Sequence, residues 1–239
     1  MSSVTDLGPT TLVFDVLGTL LDEDAGQLRA AEEVAGAHAG RLVDTWQDAF
    51  AAAVTEVREG RRPYAPSEVL HAAALRTDAV GAVAVDAVAG GRLTDDQVQR
   101  LATSGRRLAP FPEVVAALDR LSRSAALVAL TNAGSAQAFA MSAAAGLRWT
   151  VLVSGETVRA YKPDPRMYQH VLATLELDPA RCLFVAAHPW DLDAAARHGF
   201  RTGYLDRAGS TSEELAGFAR GRFDLVAPDL AGLADQLDR

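Results

Sequence analysis

Cysteine is almost missing from this 239-residue chain; Cys182 is the only one. A single thiol excludes an internal disulfide and a metal site built on cysteines. Cys182 lies in the apolar run RCLFVAA, where a lone thiol is expected to pack as a small buried hydrophobe. Positive charge is also in deficit: 23 Lys and Arg stand against 31 Asp and Glu, a net charge of −8. That balance speaks against nucleic acid or an anionic membrane as a partner, although a locally positive site can still take an anionic small molecule. No apolar run approaches the roughly 20 residues that cross a bilayer. The opening MSSVTDLGPT lacks a basic stretch followed by an apolar core, so no secretory leader is expected and the cytoplasm is the expected compartment.

What is present is ordinary globular composition, with 49 % hydrophobic residues and enough length for a core domain carrying a smaller insert. Short β-rich apolar runs recur at TLVFDV (11–16), AALVALTN (125–132), WTVLVSG (149–155), CLFVAA (182–187), RTGYLD (201–206) and FDLVAP (223–228). Helical patterns separate most of them. PEVVAALDRLSR is expected to put Val114, Val115, Leu118 and Leu121 on one face, and SAQAFAMSAAAG and LDAAARHGF both end on a glycine stop. Strands alternating with helices predict a parallel sheet covered on both faces, an α/β, Rossmann-like core. Ligands of such sheets bind at the carboxyl ends of the strands.

The first gap is different. Residues 23–107 carry helical spacing and little strand signal, with cap candidates at Pro66-Ser67-Glu68 and Thr94-Asp95. The segment reads as a helical cap inserted after the first strand. Residues 1–22 and 108–239 then form the core, with hinges near Asp22-Glu23 and Arg107–Pro112.

Polar residues gather at the expected strand ends. Asp15 closes the first run before a turn at Gly18, where it can serve as nucleophile, metal ligand or turn cap. The Thr19 hydroxyl can hold that carboxylate or cap the turn. Thr131 and Asn132 end the second run, a small anion nest or a plain helix cap. Lys162, in AYKPDPRMY, can neutralise a nearby carboxylate and keep it ionised, and Tyr168 either faces the same mouth or packs. His188, Trp190, Asp191 and Asp193 crowd the stretch after the fourth run; a histidine beside a buried aspartate can act as a base near neutral pH.

Taken in order, these residues resemble the haloacid dehalogenase superfamily of hydrolases. Its four motifs are matched by FDVLGTLLD with Asp15, LVALTNAG with Thr131, YKPDPRMY with Lys162 and FVAAHPWDLDAA with Asp191, and the helical insert sits where that family carries its cap. The resemblance implies that Asp15 is the nucleophile. In the family's phosphatases a second aspartate two places on acts as acid and base, and an acidic side chain early in motif four holds magnesium. Here those positions are Leu17 and Ala187, which supply neither function.

The resemblance is therefore strongest to the metal-free branch, the L-2-haloacid dehalogenases, which share the YKPD sequence, the later tyrosine and the Trp-Asp pair. It implies that Asp15 displaces halide from a 2-haloacid, leaving an ester that water cleaves to the 2-hydroxy acid. A halide departs without a proton, so Leu17 is tolerated and adds apolar wall. Lys162, Asp191 and His188 are implied as the other catalytic residues, with Asp191 and His188 acting on the water. Leu17, Thr19, Thr131, Asn132, Tyr168 and Trp190 are implied as substrate-binding. No cofactor or metal is expected. The expected partner is a small carboxylate, and the resemblance also allows a homodimer. Those dehalogenases carry an arginine in the first cap helix near the halide; the local match here is Trp46-Gln47, with Arg29 and Arg41 as neighbouring cations. Two other readings stay open: a magnesium-dependent phosphatase with a degenerate site, and a non-catalytic binding protein on the same fold.

Overall fold

A computed structural model of the chain describes residues 10–88, 90–209 and 221–238. The N-terminal stretch read above for a leader lies, up to residue 9, outside the described residues. Strand β1 is Thr11–Phe14, followed by helices α1 (Glu23–Ala35), α2 (Ala39–Arg58), α3 (Ser67–Ala74), α4 (Asp78–Ala87), α5 (Asp95–Ala102) and α6 (Val114–Leu121). Then come β2 (Ala126–Thr131), α7 (Ser135–Ala145), β3 (Val151–Ser154), the single turn α8 (Gly155–Val158) and α9 (Pro165–Thr174). The chain continues with β4 (Cys182–Ala186), α10 (Pro189–Arg197), β5 (Arg201–Leu205), β6 (Leu225–Ala227) and α11 (Leu230–Leu237).

The six strands form one sheet in the order β3-β2-β1-β4-β5-β6, with every neighbouring pair parallel. This is the expected α/β sheet, and all six apolar runs supply its strands. Alternation along the strands sorts the core into two layers. Leu12 and Phe14 face a cluster with Val114, Leu118 and Leu121 of α6, Met141 of α7 and Leu230 and Leu233 of α11. Val13 faces the opposite cluster with Met167 and Val171 of α9 and Leu192 of α10. Cys182 is buried in that second layer, 1 % exposed.

One face assignment needs correction. Val115 is 42 % exposed, and Ala117 takes its place beside Val114, Leu118 and Leu121. Positions 114, 117, 118 and 121 follow the i, i+3, i+4, i+7 stripe of a helix, whereas 115 lies one residue, and about 100°, off it.

Helices α1 to α5 gather around a separate apolar cluster that includes Ala31, Leu42, Trp46, Leu75, Val80 and Leu101. Helix α1 stops at Gly36, whose φ of +51° suits glycine, before α2 begins. Thr94 caps α5 through a capping box with Gln97, as its sequence predicts. The two chain crossings between this helical segment and the sheet run side by side. Leu21 bridges antiparallel to Pro110, and the Asp22 N–H donates to the Ala109 carbonyl at 2.9 Å.

In the sheet, β1 lies between β2 and β4, and the connections run to opposite sides from it. The carboxyl ends of β1 and β4 therefore border the point where strand order reverses, the usual place for a ligand crevice.

Candidate active site

Asp15 follows β1 directly, with its backbone N–H bonded to the Val185 carbonyl of β4 at 3.0 Å. Its carboxylate is 5 % exposed and has three side-chain partners. Lys162 Nζ donates to Oδ1 at 2.7 Å. The Thr19 hydroxyl donates to Oδ2 at 2.7 Å, and His188 Nδ1 lies 2.8 Å from the same oxygen. Burial alone would raise the Asp15 pKa; the Lys162 charge and the contacts from His188 and Lys162 more than reverse this and hold the group far below the usual carboxylate range. Asp15 is thus an ionised nucleophile enclosed by donors.

The turn after Asp15 explains Gly18, which has φ +70°. A Cβ there would also lie 3.0 Å from the His188 ring. Thr19 links two motifs: besides donating to Asp15 it accepts the Ala187 N–H at 2.9 Å. Lys162 is placed by Asn132, whose Oδ1 accepts the Lys162 backbone N–H at 2.7 Å. Pro189 is the first residue of α10, where its missing N–H costs no helical bond and its ring starts the helix directly after His188.

Asp191 lies beneath this layer, fully buried. Lys162 Nζ donates to its Oδ2 at 2.6 Å and the Tyr168 hydroxyl to its Oδ1 at 2.5 Å. Burial and the Asp15 charge raise its pKa against the opposing pull of Lys162. Of the two carboxylates sharing one ammonium, Asp15 is shifted down and Asp191 up. The donor set does not fit the magnesium of the phosphatase alternative. Both carboxylates turn onto Lys162, and positions 17 and 187 offer no side-chain oxygen.

A cavity of about 560 Å³ opens over Asp15 and runs beneath α2. Of the expected residues, Asp15, Leu17, Asn132, Lys162, His188 and Trp190 line it. Four others do not line it: Thr19, Thr131, Tyr168 and Asp191 all have 0 % exposure. Thr19, Thr131 and Tyr168, expected as substrate-binding, thus sit behind the cavity wall in this structure. Thr19 holds Asp15, the Thr131 hydroxyl accepts the Ala133 N–H at 3.2 Å, and Tyr168 serves Asp191. Asp191, expected to act on the water, has both oxygens bonded, to Lys162 and to Tyr168.

Several wall residues escaped the sequence reading, Glu23, Arg58 and His71 among them. Glu23, the first residue of α1, faces the cavity with its Oε1 accepting from Gln27 Nε2 at 3.1 Å. Gln27 in turn accepts from Gln47 of α2. Burial, then the nearby Asp15 charge, pushes Glu23 up to about 7. Arg58, at the end of α2, is the guanidinium on the wall; neither Arg29 nor Arg41 reaches it. His71 stacks on Phe50 with ring centroids 3.7 Å apart, and burial pushes its pKa down to about 3.

The signature of haloacid dehalogenase-like hydrolases matches residues 9–199. The chain belongs to the haloacid dehalogenase-like hydrolases. Among characterised members of this family, (S)-2-haloacid dehalogenase 4A of Burkholderia cepacia is 31 % identical over 207 residues, covering 84 % of each chain. An (S)-2-haloacid dehalogenase of Pseudomonas sp. (strain CBS-3) is 28 % identical over 205 residues, covering 84 % of this chain and 86 % of that one. The crystal structure of the L-2-haloacid dehalogenase PA0810 superposes with a TM-score of 0.83 at 29 % identity, covering 97 % of this chain and 99 % of that one.

Proposed function

We propose that this hydrolase acts on carbon–halide bonds, converting (S)-2-haloacids to 2-hydroxy acids through an ester on Asp15. The observation that carries the reading is the enclosure of an ionised Asp15 by Lys162, Thr19 and His188, with apolar Leu17 where a proton-transferring aspartate would serve a phosphatase. The names of the dehalogenase relatives support the same reaction.

In the first step Asp15 attacks C2 in line, and the carbon–halogen electron pair leaves with the halide. Leu17 and Trp190 supply apolar wall beside that carbon, and Asn132 offers its side-chain amide to the substrate carboxylate. In the second step water adds to the Asp15 carbonyl carbon. The charge that develops on oxygen is met by the Lys162 ammonium and the His188 ring, which already flank the two carboxylate oxygens. Preorganised donors of this kind are the largest single aid to acyl transfer. Residues 23–107 act as a cap that keeps bulk water from the displacement step.

The test is halide release from separate L- and D-2-chloropropionate in EDTA, with Asp15→Asn as control. Release from the L form only, abolished in the variant, is expected. Equal release by the variant would remove Asp15 from the mechanism.

A further inference from the structure

We infer that the site is shaped for 2-haloacids whose side chain ends in a second carboxylate, which Arg58 holds at the far end of the cavity. This rests on the dehalogenase reading above and narrows its substrate class. The chemistry at Asp15 is unchanged; a recognition point is added for the part of the substrate that does not react.

The first ground is size. A cavity of about 560 Å³ falls within the roughly 300–1,000 Å³ that enclose drug-sized ligands. A three-carbon haloacid with its C2 against Asp15 leaves much of that space empty. The space runs along α2, where Gln47, Phe50, Ala51, Val54, Thr55 and Arg58 form one stripe on its wall. At ~1.5 Å per residue, Gln47 and Arg58 stand about 16 Å apart along the helix axis. Gln47 belongs to the Asp15 end: it donates to Gln27, Gln27 donates to Glu23, and Glu23 feels the Asp15 charge. Arg58 marks the other end, where its charge is felt by Asp164.

The second ground is charge. Lys162 and His188 contact Asp15, and Glu23 lies in its field. Beyond that group, Arg58 is the one charged residue on the wall among the described residues, because burial keeps His71 neutral. Arg58 is exposed, and among the described residues its guanidinium has no hydrogen bond or ion pair. The acids of its neighbourhood are already taken: Glu56 pairs with Arg62, Glu59 with Arg61 and Asp164 with Arg166. Arg58 is the surplus cation of this cluster. Thr55, Arg58 and Pro163 also border a second cavity of about 270 Å³, which leaves room around the guanidinium. Its planar fork of donors matches a carboxylate in bidentate fashion.

The third ground is the stretch between the two ends. Its polar groups are committed within the protein. The Ser67 hydroxyl donates to Gln137 at 2.7 Å, that of Tyr161 to the Ala65 carbonyl at 2.9 Å and that of Thr55 to the Ala51 carbonyl at 2.9 Å. Phe50, Val54 and Pro163 offer apolar surface there, which suits methylene groups. An anion at each end with methylenes between them is the pattern of a 2-halodicarboxylic acid.

The experiment compares halide release from 2-chloroadipate and 2-chlorosuberate with release from 2-chlorohexanoate and 2-chlorooctanoate, in wild type, Arg58→Gln and Arg58→Lys. The readout is the ratio of kcat/KM for diacid over monoacid of equal chain length, which cancels any loss of folded protein in a variant. Wild type is expected to favour the diacid about tenfold at one length or both, the effect of roughly 1.4 kcal/mol. The ratio should fall to one or below in Arg58→Gln and be kept in part by Arg58→Lys. No preference in wild type, or a preference that survives Arg58→Gln, overturns the inference. So does an equal loss of diacid and monoacid turnover in Arg58→Gln, which would place the reacting carboxylate at Arg58 instead. Halide release from L-2-chloropropionate alongside any of those results leaves the dehalogenase reading standing. No release by wild type from any of these 2-haloacids overturns both.

Discussion

One ammonium organises the reaction centre. Lys162 holds Asp15 on one side and Asp191 on the other, and it is the only lysine in the chain. Every other cation is an arginine or histidine, a contrast readable in the sequence that singles out this position. Asp15, Lys162 and His188 were legible because a parallel sheet delivers strand ends to one edge, whatever the side chains do later. Glu23 was not legible. It sits on a helix of the inserted segment, and its chemistry depends on the carboxylate opposite. Its altered acidity gives a stability test. Between about pH 4.5 and 7 the folded chain keeps a proton on Glu23 that the unfolded chain releases. The folded state binds more protons there, so this group's contribution to stability falls as pH rises through the window. Glu23→Gln, always neutral, should gain in melting temperature relative to wild type from pH 4.5 to 7.5. A constant difference across that range would mean that Glu23 is not held neutral by its surroundings.

At the level of elements, the site depends on loops held by backbone contact. Gly155 opens α8 at the end of β3; a Cβ there would lie 2.7 Å from the Ala160 carbonyl and 3.4 Å from that of Asn132. Main-chain atoms cannot swing aside as a flexible side chain would. Gly155→Ala should therefore cost about 1–3 kcal/mol in a urea titration and lower halide release as well, because Asn132 also positions Lys162. A wild-type midpoint would contradict the crowding. The helices of the insert were legible as helices, yet their active face was not. Gln47, Phe50, Val54 and Arg58 of α2 line the cavity at spacings of three and four residues, and that stripe resembles ordinary core packing until the opposite wall is known. The position of the wall arginine was hidden for the same reason. Trp46 is buried at 1 % exposure inside the insert, and the cation on the wall comes three turns later.

For the molecule as a whole, the net charge of −8 opposes the approach of an anionic acid. Salt shortens the reach of that field from roughly 30 Å at 0.01 M to about 8 Å at 0.15 M. The KM for a 2-haloacid should fall over this range, and more steeply in Arg58→Gln, which removes a positive charge at the cavity wall. A KM that rises with salt would instead show that the local cations dominate the approach.

The strand order also bears on how the protein is made. β1 carries the nucleophile at its end, yet it pairs with residues starting at Ala126 on one side and Cys182 on the other. At ribosomal rates of about 5–20 residues per second, the second partner is synthesised roughly ten to thirty seconds after β1. Through that interval a strand of buried residues waits with an open edge, while the helical insert, whose contacts are nearer in sequence, is complete. The catalytic strand is an early product of translation and one of the last to be enclosed, which makes it the segment most in need of protection on the nascent chain.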